Sequence, residues 1–252
     1  ARFAVRFGFE WETQTRTDLE AAIASGIYQQ IRTEQTKVPA LQTRLKAELK
    51  YTFESKIWQK FVAKLADVNA FYCLHPTLKI TDRVMRQLRV VDRSWHKWML
   101  DRKSDRWLML LEVLLASLPS EIAQTVAIEL QLPLDAQTRL ANHTVHRDRL
   151  VNHLSNCQLT SEKVKAIEPY DLPSLILIGA NSPRSIRQAI WQYLTQWQSI
   201  KPPIDGRDLK KMGYAPGPQF RQILADLLTA TLDGKVQNRH QAELFILKNY
   251  AK

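Results

Sequence analysis

The sequence is poor in cysteine and glycine and has no long apolar run. Its 252 residues contain 2 cysteines, Cys73 and Cys157, which stand far apart without CxxC spacing. This argues against a disulfide scaffold or a zinc ribbon and fits a reducing, cytoplasmic compartment. The longest apolar run, 107–118, is interrupted by Glu112 and is too short to span a membrane. No signal peptide is visible, and we expect no membrane partner.

The motifs of common catalytic sites are also missing. There is no Walker lysine loop, no GxGxxG, no GxSxG and no Asp-x-Asp pair to hold two metal ions. His143, His146 and His153 fall on one face of a predicted helix, but no cysteine or carboxylate accompanies them at ligand spacing. We therefore expect either a surface row of histidines on an RNA-facing helix or plain solvated histidines, and neither a metal ion nor a catalytic residue in this chain.

The charge is strongly one-sided. The formal net charge is +11 and the isoelectric point is near 9.7. This balance indicates a polyanionic partner, either nucleic acid or an acidic membrane surface, and the alternative is a basic soluble protein without such a partner. The basic residues are spread along the chain, which favours a broad basic surface over a tethered arm. A membrane surface is the weaker reading, because no segment combines a basic flank with exposed aromatic anchors.

Apolar periodicity predicts an all-α fold, an irregular array of many helices with short connections. Pro, Ser, Asn, Asp and Gly residues bound the predicted helices, which include 55–68, a long helix capped by Asp135, and 183–200. The apolar LILI at 175–178 is better explained by a buried helix than by a lone strand. Two prolines after Lys201 predict a linker, and a softer boundary lies near Phe53. We expect segments 1–53, 54–200 and 201–252.

The clearest amphipathic helix is predicted over 81–101, capped by Thr81. Its apolar face comprises Val84, Leu88, Val91, Trp95, Trp98 and Met99. A basic ridge lines the opposite face, made of Arg86, Arg89, Arg93 and Lys97. The ridge fits RNA phosphates, and it equally fits an ordinary solvated helix face, which is the commoner case.

The scarce glycines gather in one basic segment, 205–220, with the sequence DGRDLKKMGYAPGPQF. The pattern predicts a short helix capped by Asp205 or Asp208, a left-handed stop at Gly213 and a long helix from Pro218 to residue 232. Free amides at the start of the long helix can seat a phosphate, whereas the alternative is a corner whose glycines serve packing alone. The candidate RNA-binding residues here and just downstream are Arg207, Lys210, Lys211, Gly217, Arg221 and Arg239.

Segment 205–246 resembles the C-terminal tail of class II tRNA nucleotidyltransferases and poly(A) polymerases. The family pattern is Gly-x-Asp-Leu, a Gly, Pro-Gly-Pro, a leucine-rich helix, Asp-Gly and Asn-Arg. The matching residues are Gly206, Asp208, Leu209, Gly213, Pro216, Gly217, Pro218, Leu224, Asp233, Gly234, Asn238 and Arg239.

The start of the chain resembles the neck of the same family. The stretch RFAVRFGF at 2–9, with Arg6, fits the entry to the neck, and Arg44 and Glu48 fit the motif Glu-Arg-x-x-x-Glu-Leu, although Thr43 replaces its first acid. Leu74-His75-Pro76 resembles a Leu-x-Pro element of the body. The three neck-motif residues, Arg6, Arg44 and Glu48, are expected to be structural.

The resemblance implies a neck, body and tail without the catalytic head of the family. The head would bind Mg²⁺ and ATP or CTP and transfer a nucleotide to the tRNA 3′ end by two-metal chemistry, so this chain alone is expected to be inactive and to need no cofactor. Its expected partners are tRNA or another RNA and the missing head. The alternative is a stand-alone helical RNA-binding or scaffold protein that never had a head, and the coding sequence upstream of Ala1 would separate the two.

Overall fold

The structure, a computed structural model, describes residues 2–27, 39–98 and 106–250, which are helical and contain no strand. The predicted all-α class is confirmed. None of the described helices is long and apolar enough to cross a membrane. The described residues form fourteen α-helices and two 3-10 turns, the turns at Ala70–Cys73 and Trp197–Ser199. The α-helices are α1 Arg2–Phe7, α2 Thr13–Ala24, α3 Pro39–Glu54, α4 Trp58–Ala66, α5 Asp82–Trp98, α6 Arg106–Leu115, α7 Ser120–Glu129, α8 Leu134–Asn156, α9 Thr160–Ile167, α10 Leu172–Ala180, α11 Arg184–Thr195, α12 Gly206–Lys211, α13 Pro218–Leu232 and α14 Arg239–Asn249.

Most helix ends follow local signals in the sequence. The Oγ1 of Thr81 accepts the amide of Val84 at 3.3 Å, which confirms the predicted cap of α5. Gly26 follows α2 with a φ of 73°, a left-handed conformation that suits glycine. The LILI stretch lies buried inside α10, as predicted.

Three predicted ends differ from the structure. The helix expected from residue 55 begins at Trp58, because the Oγ of Ser55 accepts the amide of Ile57 and turns the chain first. Asp135 was expected to cap α8 but lies inside its first turn, bonded to Arg139. The helix expected to reach residue 200 ends at Thr195, where Gln196 leaves the helical conformation. Of the amphipathic helix predicted over 81–101, residues 99–101, including Met99, lie outside the described residues.

Contacts divide the chain into two compact units. The first comprises Ala1–Arg147 with Leu172–Asn181, and the second comprises Asp148–Asp171 with Ser182–Lys252. The predicted limits of neck, body and tail, at 53 and 200, stay predictions beside this division.

The first unit is built around α6, whose residues from Leu108 to Leu115 are all buried. Helices α3, α5 and α10 pack against it. On α5 the predicted apolar face is confirmed for Val84, Leu88, Val91 and Trp95. Burial of such a continuous apolar surface is the main force that holds these helices together.

Two polar groups anchor this apolar core. Asp92 of α5 accepts hydrogen bonds from Arg106 Nε at 2.7 Å and from Trp58 Nε1 at 3.0 Å, while Arg106 Nη1 donates to the carbonyl of Phe53 at 2.7 Å. One carboxylate and one guanidinium therefore fix where α3, α4, α5 and α6 meet. Such bonds are strong because one or both partners are charged.

The acid that interrupts the longest apolar run is part of a second buried ion pair. Glu112 is 1% exposed, and Arg139 of α8 donates to its two carboxylate oxygens at 2.8 and 2.9 Å. Burial opposes the charge on Arg139, but the bonds and charges of Glu112 and then Asp135 outweigh it and raise the pKa of Arg139. The pair fixes α8 against α6.

The second unit has a smaller core beneath the glycine-rich segment. Its buried residues include Ile204, Leu209, Ile223, Leu227 and Ile246. Helix α13 packs against α9, α12 and α14. This core positions the basic segment that the sequence singles out.

We predict that Arg139→Met lowers the free energy of unfolding by about 3–5 kcal/mol, because it leaves the Glu112 carboxylate buried without its partner. Urea denaturation followed by circular dichroism measures this loss. The matched control is the double variant Glu112→Leu with Arg139→Met, which removes both charges and is expected to recover most of the stability. A double variant as unstable as the single one would contradict the ion-pair account.

Candidate nucleic-acid interface

Helix α12, the first half of the glycine-rich corner, is held by a reciprocal cap. The Oδ1 of Asp205 accepts the amides of Arg207 at 2.7 Å and Asp208 at 3.0 Å, and Asp208 accepts the amide of Asp205 at 3.3 Å. At the other end Gly213 has a φ of 86°, and the amide of Tyr214 bonds back to the carbonyl of Leu209. The predicted cap and left-handed stop are both confirmed.

Gly206 explains how closely α12 approaches α13. A Cβ at this position would lie 3.3 Å from the ring of Phe220, closer than side-chain carbons normally pack. Glycine therefore lets the start of α12 sit on the first turn of α13. Arg207 and Arg221 each follow one member of this contact in the chain, so the contact brings the two basic positions to one corner.

Asp208 also binds Arg239, the first residue of α14. Arg239 Nη2 donates to Asp208 Oδ1 at 2.9 Å, and its Nε donates to Glu243 at 3.1 Å. The bond from Arg239 and then that from the amide of Asp205 lower the pKa of Asp208. Arg239 thus ties α14 to α12, and its role toward RNA stays a prediction.

Four basic residues of the corner remain exposed and form no ion pair with a described carboxylate. They are Arg207, Lys210, Lys211 and Arg221. The neighbouring acids are already engaged, Asp205 with backbone amides and Asp208 with Arg239. We call these four residues the corner cations. Because none of them forms an ion pair with a described carboxylate, they are available to phosphates.

The start of α13 adds uncapped amides to the same corner. Gly217, the residue before the helix, makes no capping bond, and Pro218 begins the helix. Gly217 has a φ of 172°, an extended conformation open to any residue, and a Cβ there would meet nothing within 4 Å. Internal packing therefore does not require glycine at 217, in contrast to 206. Its candidate role in binding RNA stays a prediction.

Two tyrosines, Tyr214 and Tyr250, join the residue that follows α14 to the rest of the second unit. The hydroxyl of Tyr214 donates to the carbonyl of Tyr250 at 2.7 Å, and the hydroxyl of Tyr250 donates to Asp226 of α13. Burial and then the bond to Asp226 raise the pKa of Tyr250 to about 12, while that bond and a second one from Gln222 lower the pKa of Asp226. The sequence did not reveal this link, because its members are 24 residues apart and carry no local signal.

Asp233 makes a further link that sequence reasoning missed. It accepts the amide of Ser161 at 2.9 Å and the hydroxyl of Ser161 at 3.0 Å. This fixes the end of α13 against the start of α9. In the sequence, Asp233 stands out only among the residues that match the family pattern, together with Gly234, which has a φ of 73° after the end of α13.

The basic ridge lies on the exposed face of α5 in the first unit. Arg86, Arg89 and Arg93 are exposed and form no ion pair with a described carboxylate. The Nε of Arg93 donates to the carbonyl of Arg89 at 3.3 Å. The side chain of Lys97 lies outside the described residues. The ridge as an RNA contact stays a prediction.

The neck-motif residues are at the surface of the first unit. Arg6 is exposed, with its guanidinium carbon 5.6 Å from the centre of the Phe7 ring. Arg44 and Glu48 are exposed on α3, and Glu48 also borders an apolar cavity of about 360 Å³. Their structural role stays a prediction.

The expected row of solvated histidines is wrong for His143, which is 4% exposed because its face of α8 turns inward. His146 is half-buried and His153 is exposed. The described residues hold no group of three or more His, Cys, Asp or Glu side chains that could bind a metal ion.

Comparisons with known proteins confirm the resemblance to tRNA nucleotidyltransferases. The chain is 24% identical over 248 residues to the A-adding tRNA nucleotidyltransferase of Geobacter sulfurreducens, covering 94% of this chain and 27% of that protein. No family model matches. The chain therefore spans about a quarter of the curated relative that it matches.

Solved CCA-adding enzymes share the fold. A CCA-adding enzyme in complex with ATP matches with a TM-score of 0.68 at 21% identity, over 98% of this chain and 58% of that one. The Thermotoga maritima CCA-adding enzyme complexed with tRNA matches with the same TM-score at 20% identity, over the same shares. The fold of the chain is thus that of more than half of these enzymes.

We predict that Tyr250→Phe flattens the loss of stability at high pH. The phenol titrates near pH 10 when unfolded and near 12 when folded, so its raised pKa stabilises the fold fully below pH 10 and ceases to do so as the pH rises toward 12. Urea midpoints measured at intervals from pH 9 to 12 test this. Tyr214→Phe, which keeps the bond between Tyr250 and Asp226, should retain the wild-type slope. Equal slopes for Tyr250→Phe and wild type would refute the assignment.

Proposed function

We propose that this chain is the RNA-binding helical portion, neck, body and tail, of a longer nucleotidyltransferase that adds A or CCA to tRNA 3′ ends. The observation that carries the proposal is the group of corner cations, which form no ion pair with a described carboxylate. They lie on or beside α12, which is capped by Asp205 and joined to α14 by the Asp208–Arg239 ion pair. The similarity to an A-adding enzyme and the fold shared with CCA-adding enzymes support the identity of the partner.

The chemistry of the corner suits phosphate binding more than base reading. Lysine and arginine side chains at an exposed corner bind backbone phosphates, and each contact releases counter-ions, so affinity falls with salt. Duplex RNA is recognised chiefly through its shape and its backbone. The chain would thus hold the tRNA while a head supplies the reaction, in which the 3′ hydroxyl attacks the α-phosphate of the incoming nucleotide and displaces pyrophosphate.

Rigidity supports the same proposal. The Asp205–Asp208 cap, the Gly206–Phe220 contact and the Asp208–Arg239 pair fix the backbone that carries the four cations. A pre-ordered set of cations loses less entropy on binding than a flexible one. The acidic residues of the segment act inside the fold, which leaves the positive charge facing outward.

We expect Lys210→Glu with Lys211→Glu to weaken binding to whole tRNA by about tenfold or more at low salt and to reduce the salt slope by about one to two. Fluorescence anisotropy over a series of potassium chloride concentrations measures both quantities.

The matched control is Lys201→Glu with Lys248→Glu, which makes the same change in net charge at two other exposed positions of the second unit. It should leave the slope nearly unchanged. If the two double variants behave alike, only net charge matters and the corner is not the binding site.

A further inference from the structure

A concave polar pocket in the first unit, separate from the corner cations, has a volume of about 660 Å³. Its wall consists of the segment before α5, the first turns of α5, the turn between α6 and α7, part of α8, and the residue that follows α10. The described residues that line it are Thr77, Lys79, Thr81, Arg83, Val84, Gln87, Ala116, Ser117, Leu118, Pro119, Thr144, Arg147 and Asn181.

Neutral polar side chains of this wall form hydrogen bonds within the protein. Gln87, which is 8% exposed, donates through Nε2 to Asn181 Oδ1 at 2.9 Å. Thr144 shares a hydrogen bond of 2.8 Å with Ser120, and Ser117 donates to the carbonyl of Leu114 at 2.7 Å. Because both partners of these bonds belong to the protein, the bonds hold the wall in shape without a ligand.

The charged groups of the wall are all of one sign. Lys79, Arg83 and Arg147 line the pocket, and no aspartate or glutamate is among its described lining residues. Lys79 and Arg83 are exposed and form no ion pair with a described carboxylate. Like charges around one concave surface create a positive potential that attracts an anion.

We propose that this pocket binds a phosphate group, with Lys79 and Arg83 as its anchors. The guanidinium can donate two parallel hydrogen bonds to phosphate oxygens, and the ammonium adds a compact charge. The lack of carboxylate ligands disfavours a divalent cation. The phosphate comes either from free phosphate or from an RNA backbone, and the RNA source rests on the proposed function.

The first experiment uses inorganic phosphate and the whole chain. Thermal unfolding in potassium phosphate is compared with potassium chloride of equal ionic strength. Phosphate should raise the Tm by about 2–4 °C at roughly ten times its dissociation constant. Lys79→Ala with Arg83→Ala should abolish the rise, and the matched control Lys56→Ala with Lys60→Ala, both exposed in the first unit, should keep it.

The second experiment needs no variant of the pocket. Acetylation of Lys79 by a lysine-reactive reagent is read by mass spectrometry relative to Lys60, with inorganic phosphate or whole tRNA added at equal ionic strength. Protection of Lys79 by phosphate alone assigns a free phosphate, and protection by both assigns an RNA backbone. If neither ligand protects Lys79 more than Lys60 and phosphate does not raise the Tm, the pocket does not bind phosphate.

These outcomes separate the pocket from the corner. Absence of any protection of Lys79 together with absence of a phosphate-dependent rise in Tm would overturn the pocket alone. Unchanged tRNA affinity in the Lys210 and Lys211 double variant would overturn the corner alone, because the phosphate arm of the pocket does not depend on it.

Discussion

The basic corner depends on the ion pair between Asp208 and Arg239. The carboxylate of Asp208 accepts two hydrogen bonds. The bond from the amide of Asp205 closes the cap of α12, and the bond from Arg239 joins α12 to α14. Without Asp208, α12 would lose half of its reciprocal cap and its link to α14. The same carboxylate would otherwise be available to pair with the lysines at the end of α12. Its use inside the fold leaves those lysines available to an outside anion.

In both units, some acidic side chains bond to other parts of the fold while basic side chains stay exposed. In the first unit Asp92 and Glu112 are bonded to Arg106 and Arg139, and in the second Asp233 is bonded to Ser161. These acids join helices, whereas many arginines and lysines stay at the surface. The net charge of +11 therefore lies mainly on the exposed surface of the protein. The Tyr250–Asp226 link adds a further contact that titrates only at the extremes of pH.

Local signals in the sequence predicted the helices well, but they did not predict the polar contacts between residues far apart in the chain. The apolar face of α5, the buried LILI of α10 and the stop at Gly213 follow from periodicity and from glycine geometry, which are readable within a few residues. The start of α4 at Trp58 and the burial of His143 depended on a serine turn and on packing, which outweighed propensity. The Asp208–Arg239 pair joins residues 31 positions apart, so the sequence offered Arg239 as a free cation. The four corner cations were among the candidates because they flank the glycine-rich turn, and their role toward RNA stays a prediction.

The most direct test of the account is binding of this chain to whole tRNA over a series of salt concentrations, compared with a single-stranded RNA of equal length. The account predicts binding to tRNA at low salt that falls steeply as salt rises, with weaker binding to the single strand, because the corner contacts phosphates arranged by a folded RNA. No binding to tRNA at low salt, or affinities for the two RNAs that are equal throughout the series, would contradict it.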